Sequence, residues 1–312
     1  MHSSPWHNLV TLHTHYLQTA IEMDSANAKL RKFNWSELLL FVFFISSYFF
    51  IVPLIPDVDL GPYGAINLHD ITRLLLAILM VSLAGRLSVK AFGGHSGLLM
   101  TGFFGGFASS TATIAAMGAL VRRESTAVWG ASIAAILSTV ATYIQLAFIL
   151  WLTNGVVLTK IGLPLLCGGG AAAAFTLVAL KTRENQALAH IKESRLLTTL
   201  GNALLVGILL TIVLVLGAVV QSKLGVKGLA LISFVSGFLD GHASAFAVSE
   251  LVTLQKVSVD AAVIPILLGL TSNTVTKAVF AIAAGGRNYA SRVIAGLAIS
   301  IALTWAPLII LI

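Results

Sequence analysis

Charge is scarce in this chain. Of its 312 residues only 10% are Asp, Glu, Lys or Arg, and 57% are hydrophobic. Soluble domains carry about 25% charged residues. No water-facing fold covers that much apolar surface with so few charges, so lipid is the solvent for most of the chain. Cysteine is scarcer still. Cys167 stands alone, which excludes an internal disulfide and any multi-cysteine metal centre. It lies beside Gly168, Gly169 and Gly170 in an apolar run and reads as a small packing residue. Acidic residues number 12 against 19 Lys and Arg, a net charge of +7. No basic patch lies on a polar, foldable face, so nucleic acid is not an expected partner. The basic residues sit instead in short loops, where they orient membrane helices. A cleaved secretory leader is not expected either: the first apolar run begins near Leu38, and that first helix is expected to act as its own insertion signal.

What is present is apolar sequence in long runs. Residues 1–36 are polar to amphipathic. Their His2, His7, His13 and His15 share no single helix face, so an interfacial helix is expected rather than a metal-binding tail. Residues 37–312 form the membrane domain. Nine apolar segments lie near 37–55, 70–92, 97–121, 126–152, 156–180, 199–221, 226–252, 259–284 and 289–311. Each reaches about the 20 residues that a spanning helix needs. The linker 56–69 is rich in Pro, Gly and Asp, and the linker 181–198 is the most charged stretch of the chain.

The chain also repeats itself at an offset of 131 residues without a gap. Gly97, Leu98, Phe103, Gly106, Phe107, Ala112 and Ala116 fall on Gly228, Leu229, Phe234, Gly237, Phe238, Ala243 and Ala247. Segments 70–180 and 201–311 are therefore two copies of one unit, an architecture that in transporters places the site between the copies. Loop charges bear on topology. With nine full crossings and the N-terminus inside, 10 basic residues fall inside and 8 outside. If the glycine-broken segments 97–121 and 226–252 enter and leave on the same side, the count becomes 13 against 5, as the positive-inside rule requires. Re-entry of the first alone gives 12 against 6. The expected fold is an all-α integral membrane protein with two inverted repeats, each holding a broken or re-entrant helix, and a cytoplasmic N-terminus. Parallel repeats of four full helices are the alternative.

Glycine- and hydroxyl-rich breaks at membrane depth are tolerated only where protein or water surrounds them. Gly105, Gly106, Ser109, Ser110, Thr111 and Thr113 form one break, and Gly237, Asp240, Gly241, His242 and Ser244 its partner. Tight packing by small residues would explain the glycines alone. Asp240 adds a carboxylate well inside an apolar segment, where a charge costs about 2.5–3.5 kcal/mol on insertion scales and marks a functional site by default. His242 either shares a proton or cation with it or acts as a neutral donor, which makes the two residues the candidate metal ligands. Lys277 is a lysine inside an apolar segment, one helical turn from Asn273. A Lys277–Asp240 pair reads either as a fixed bridge or as the contact that a proton or cation opens. The hydroxyls of Ser109, Ser110 and Thr111 and the Asn273 amide are candidate neutral ligands. In the first copy the matching positions are Ser109 for Asp240, Thr142 for Asn273 and Leu146 for Lys277. Glu250, near a helix end, is expected in water, and Arg86 is expected to snorkel to the interface.

The stretches PLIPDVDLGPYGAIN (53–67), LLLAILMVSLAG (74–85), GLLMTGFFGGFASSTAT (97–113), SGFLDGHA (236–243) and SNTVTKA (272–278) resemble, in the same order, the membrane domain of unknown function found at the C-terminal end of MgtC/SapB family proteins. The resemblance covers most of 37–312. It implies a protein of bacterial or archaeal inner membranes related to magnesium uptake or transport. This chain departs from the pattern in lacking the MgtC-type N-terminal half and in carrying His242 where a second Asp is frequent. Mg²⁺ is held by carboxylates and retained waters, so a homodimer would be needed to supply a second membrane carboxylate. The leading expectation is a transporter of a small ion or solute, foremost an inorganic cation, with the bilayer as its setting and no cofactor beyond a bound cation. A passive channel and a regulatory or scaffold protein are the rivals. An enzyme is not expected, because no nucleophile constellation accompanies Asp240 and His242.

Overall fold

The computed structural model describes residues 35–60, 66–181 and 200–310. The histidine-bearing N-terminal stretch and nearly all of the linker 181–198 lie outside the described residues. Contacts divide the chain into a unit ending at Val42 and a unit from Phe43 onward. The second unit contains both repeats.

Helices make up almost everything described. In hydrocarbon each backbone donor and acceptor must pair within its own segment, and the helix does this. The order is α1 (Trp35–Ser46), continued by a π turn at Ser47–Ile51 and a 3₁₀ turn at Val52–Leu54, then a two-stranded β-ribbon (β1, Asp59–Leu60; β2, Ile66–Asn67). Next come α2 (Leu68–Arg123), α3 (Val128–Thr153), α4 (Gly155–Lys181), α5 (Leu200–Gly237), α6 (Gly241–Thr253), α7 (Val259–Gly285) and α8 (Arg287–Ile310). Among the described residues eight helical stretches are long and apolar enough to cross a bilayer.

Two of these stretches are not simple crossings. α2 changes direction twice, at Gly97 (φ 72°) and at Ser109, where the backbone is extended (φ −173°, ψ 108°). Gly97 takes a left-handed conformation that residues with a Cβ rarely adopt. Beyond it, residues 97–108 fold back along the helix they left: Gly85 packs on the backbone of Phe104 and Ala108. Gly102 then meets Ala134, and Gly106 meets Ser138 and Ala141, so this half-helix runs inward alongside α3. After Ser109 the chain returns. Gly118 meets Ala284 and Gly285, Arg122 donates to the Ala283 carbonyl at 2.5 Å, and the Tyr289 hydroxyl pins the Ile114 carbonyl at 2.6 Å. Leu98, near the start of the segment, shares a core cluster with Ile114 and Met117. The segment therefore enters and leaves at one end of the bundle.

α5 does the same from the opposite end. It bends at Gly225 (φ 62°), and Gly217 lies against Leu229 and Leu251, while Gln221 donates to the Lys256 carbonyl. Residues 228–237 run inward, with Gly237 against Gly269 and Ser272. The chain turns at 238–240, and α6 returns to place Thr253 beside Thr153 and Asn154. At 1.5 Å per residue the ten to twelve residues of each inward half reach about 15–18 Å, half of a hydrocarbon core about 30 Å thick. The seventh expected segment, 226–252, is thus a hairpin and not a crossing helix.

The equivalent helices α3 and α7 run antiparallel. α3 starts beside the end of α7, through Arg122 and Ala283, and finishes at the end where α7 begins, as the Lys160–Asp260 ion pair (2.8 Å) just past the α3–α4 turn shows. Equivalent helices in opposite directions make the repeat an inverted one. One end of the bundle carries Arg122, Arg123, Arg287 and Arg292, and is called the arginine end. The other carries Asp57, Asp59, Asp70 and Asp260, and is called the aspartate end. Between them a buried network holds α3, α4 and α8 together: Tyr143 and Thr304 hydroxyls meet at 2.7 Å, and Ser300 bonds both the Tyr143 hydroxyl (3.0 Å) and the Gly168 carbonyl (2.8 Å).

The topology predicts a labelling pattern. In a Cys167→Ser background, single cysteines at 94 and 124 are expected to react with a membrane-impermeant maleimide from the same side. Cysteines at 222 and 255 are expected to react from the other side. Reaction of 94 and 124 from opposite sides would make 97–123 a crossing helix.

Candidate functional site

The two hairpin tips are built alike. Ser109 and Asp240, 131 residues apart, both have extended backbones and both open the returning half-helix. An N-cap side chain accepts a bond from a backbone N–H that the helix leaves unpaired. Ser109 Oγ accepts from the Ala112 N–H at 3.3 Å, and Asp240 Oδ1 accepts from the His242 N–H at 2.8 Å. The same carboxylate oxygen lies 3.1 Å from His242 Nδ1. The other ring nitrogen, His242 Nε2, is buried and has no hydrogen-bond partner.

Both tips rest on the α3–α7 pair. Gly241 packs on the Asn273 side chain, and Thr276 Oγ1 donates to the Phe238 carbonyl at 3.0 Å, satisfying an acceptor that the turn frees. One turn along α7, Lys277 is fully buried. Its Nζ donates to Thr142 Oγ1 on α3 at 2.9 Å. Thr142 is the first-copy equivalent of Asn273, so this bond joins the two repeats at mid-depth. On the same stretch of α3, Ser138 and Ala141 back the other tip through Gly106.

The structure thus gathers Asp240, His242, Asn273 and Lys277 around the second tip and α7. Lys277 and Asp240 do not form an ion pair: the lysine points across to Thr142, and the carboxylate is engaged by His242. In the first tip Ser109 is exposed, Ser110 is buried and Thr111 is half-buried; Ser109 is held in the cap, and Thr113 Oγ1 bonds its carbonyl at 2.9 Å. The Asp240 side chain keeps 26% of its surface and that of His242 keeps 16%, so the pair is not fully enclosed by protein.

Two expectations fail on burial. Glu250 is only 3% exposed, and Arg86 only 8%. Glu250 faces a pocket shared with Asp70, Arg73, Thr153 and Thr253 because α6 returns it beside the N-terminus of α2, a neighbour no local pattern announces. Sequence reasoning also misses Thr142 as a lysine partner. The repeat alignment pairs Thr142 with Asn273, which is the one available signal.

These features define a class: a polytopic helical membrane protein with two inverted re-entrant hairpins whose tips carry polar side chains. The chain belongs to the family described as a domain of unknown function, DUF4010, which matches residues 76–285. That span contains both hairpins and all of α7. No curated protein matches the chain, and no solved structure does.

The cap geometry makes a prediction. Asp240→Ala is expected to lower unfolding stability by about 1 kcal/mol, the usual cost of losing a cap, whereas Asn serves nearly as well as Asp. Thermal denaturation in detergent checks this: Asp240→Asn should remain near wild type. Equal losses in both variants would remove the capping role.

Proposed function

We propose that this protein carries a small cation across the bilayer by alternating access, with Asp240 as the group that takes up the cation or a proton. The observation that carries the reading is the pairing of Asp240 with His242 at a re-entrant tip. There a carboxylate orients an imidazole whose Nε2 is buried without a partner. A carboxylate-oriented imidazole with a free nitrogen is the arrangement used to hold a metal ion or pass a proton. Hairpins entering from opposite ends supply a gate on each side, and a repeat interface at mid-depth is where transporters of this architecture bind. Lys277, bonded to Thr142, is the counter-charge whose contacts change as the repeats rock. The resemblance to the membrane domain of MgtC/SapB proteins supports a transport role in a bacterial or archaeal inner membrane. The positive-inside rule supports a cytoplasmic arginine end, and a homodimer would bring a second Asp240.

A second reading is favoured by one feature. The half-helix beginning after Ser109 has no carboxylate at its cap, so its positive N-terminus is not cancelled, and with Lys277 it would suit a small anion.

Flux into proteoliposomes, across a panel of mono- and divalent cations and with or without a pH gradient, tests the proposal. Wild type is expected to carry at least one cation, and Asp240→Asn, which keeps the cap, is expected to lose at least tenfold in rate. Anion flux that survives Asp240→Asn and is abolished by Lys277→Met would favour the second reading. Folded protein inert to every ion would sink both and favour a regulatory role.

A further inference from the structure

The aspartate end holds a second cluster that the hairpin site does not use. β1 and β2 pair Asp59 with Asn67, and Asn67 is buried at the N-cap of α2. From there it works in three directions. Its Nδ2 donates to Asp57 Oδ1 at 2.7 Å and to Asp59 Oδ1 at 3.0 Å, and its Oδ1 accepts from the Asp70 N–H at 3.2 Å. The result is to fix Asp57 over the first turn of α2, where one ligand-capable atom from each of Asp57, His69 and Asp70 lies within 4.8 Å of the others. His69 Nδ1 and Asp70 Oδ1 are 3.3 Å apart.

Like charges crowded this way repel one another. Asp57, Asp59 and Asp70 converge on a helix N-terminus, whose partial positive charge offsets part of that repulsion. Arg73 is a nearby cation, and it lines the adjoining pocket. An independent observation concerns the cavity that adjoins Asp70. Glu250, brought here by the return of α6, is 3% exposed, and its Oε1 is buried with no hydrogen-bond partner. It and Asp70 line one cavity of about 120 Å³. Arg73 lines that cavity too, yet the Glu250 oxygen stays unpaired there, and a buried carboxylate oxygen beside Asp70 with no donor has room for a cation.

We propose that Asp57, His69 and Asp70 bind a divalent first-row transition-metal ion, such as Mn²⁺ or Zn²⁺, at the mouth of the aspartate end, with Glu250 facing it across the adjoining cavity. The donor chemistry selects the class. Mg²⁺ and Ca²⁺ take oxygen ligands, whereas an imidazole among carboxylates suits Mn²⁺, Fe²⁺ or Zn²⁺. Asn67 is the positioning residue, since it holds two of the aspartates and the helix start in register. The three donors are partly exposed, which leaves open positions for water and a route in from the aqueous side. This site is separate from the Asp240–His242 pair and stands whether or not that pair transports anything.

The full chain in lipid nanodiscs, titrated with Mn²⁺ and followed by loss of the free-ion EPR signal, tests the assignment. Wild type is expected to bind one Mn²⁺ per chain at this site. Asp57→Asn, which preserves an acceptor for Asn67, and His69→Gln are each expected to weaken binding at least tenfold with unchanged melting temperature. Glu250→Gln is expected to weaken it severalfold, and Asp240→Asn to leave it unchanged. Zn²⁺ should displace the Mn²⁺ near stoichiometrically, and a hundredfold excess of Mg²⁺ should not. Binding that survives both Asp57→Asn and His69→Gln overturns the site. Binding lost in Asp240→Asn instead would assign the ion to the hairpin tip. Displacement by Mg²⁺ as readily as by Zn²⁺ would remove the imidazole from the ligand set and overturn the metal class.

Discussion

Everything in this fold depends on how two half-helices end in the middle of a bilayer. A helix that stops at its start or finish leaves up to four backbone groups unpaired, and in hydrocarbon each costs several kcal/mol. Ser109 and Asp240 answer that constraint with cap bonds to Ala112 and His242. Thr276 answers it again by bonding the carbonyl freed at Phe238, and Thr113 Oγ1 adds a side-chain bond to the Ser109 carbonyl. The small residues follow from the same need. Gly102, Gly106, Gly237 and Gly241 leave room for α3 and α7 to pack directly on the hairpins, so the breaks are enclosed by protein on that side.

Solving the backbone problem with a carboxylate in one copy and a hydroxyl in the other makes the two tips unequal. A serine cap satisfies an N–H and brings no charge. An aspartate cap brings one, and the surroundings of the second tip are correspondingly polar: His242 on its own half-helix, and Asn273 and Lys277 on α7. The lysine reaches across the repeat interface to Thr142, so the charged side of the site is tied to both copies. Removal of one partner from such a buried polar group is costly, so the Lys277–Thr142 bond holds α7 in place against α3.

Much of this is legible in the sequence. The gapless repeat puts both breaks at equivalent positions, and the loop charges alone favour same-side entry for both hairpins. Asp240, His242, Asn273 and Lys277 stand out because polar residues in apolar runs are conspicuous. What the sequence hides is pairing in three dimensions. Charge alone matches Lys277 to Asp240, but a threonine on the antiparallel α3 lies at the right height. Glu250 looks like a residue near water at a helix end; the hairpin returns it to a buried spot beside Asp70. The linker 56–69 reads as a turn-rich connection, and only the β1–β2 ribbon and the Asn67 cap turn its aspartates toward the start of α2.

The central claim is that the hairpin tips face a hydrated path and not acyl chains. Its most direct test is the reactivity of Ser109→Cys in a Cys167→Ser chain, reconstituted in liposomes. A small hydrophilic methanethiosulfonate reagent is predicted to modify that cysteine, at a rate that changes when a transported cation is present. Modification only by a lipid-soluble maleimide, with no response to the hydrophilic reagent from either side, would put the tip against lipid and reduce the broken helices to a packing device.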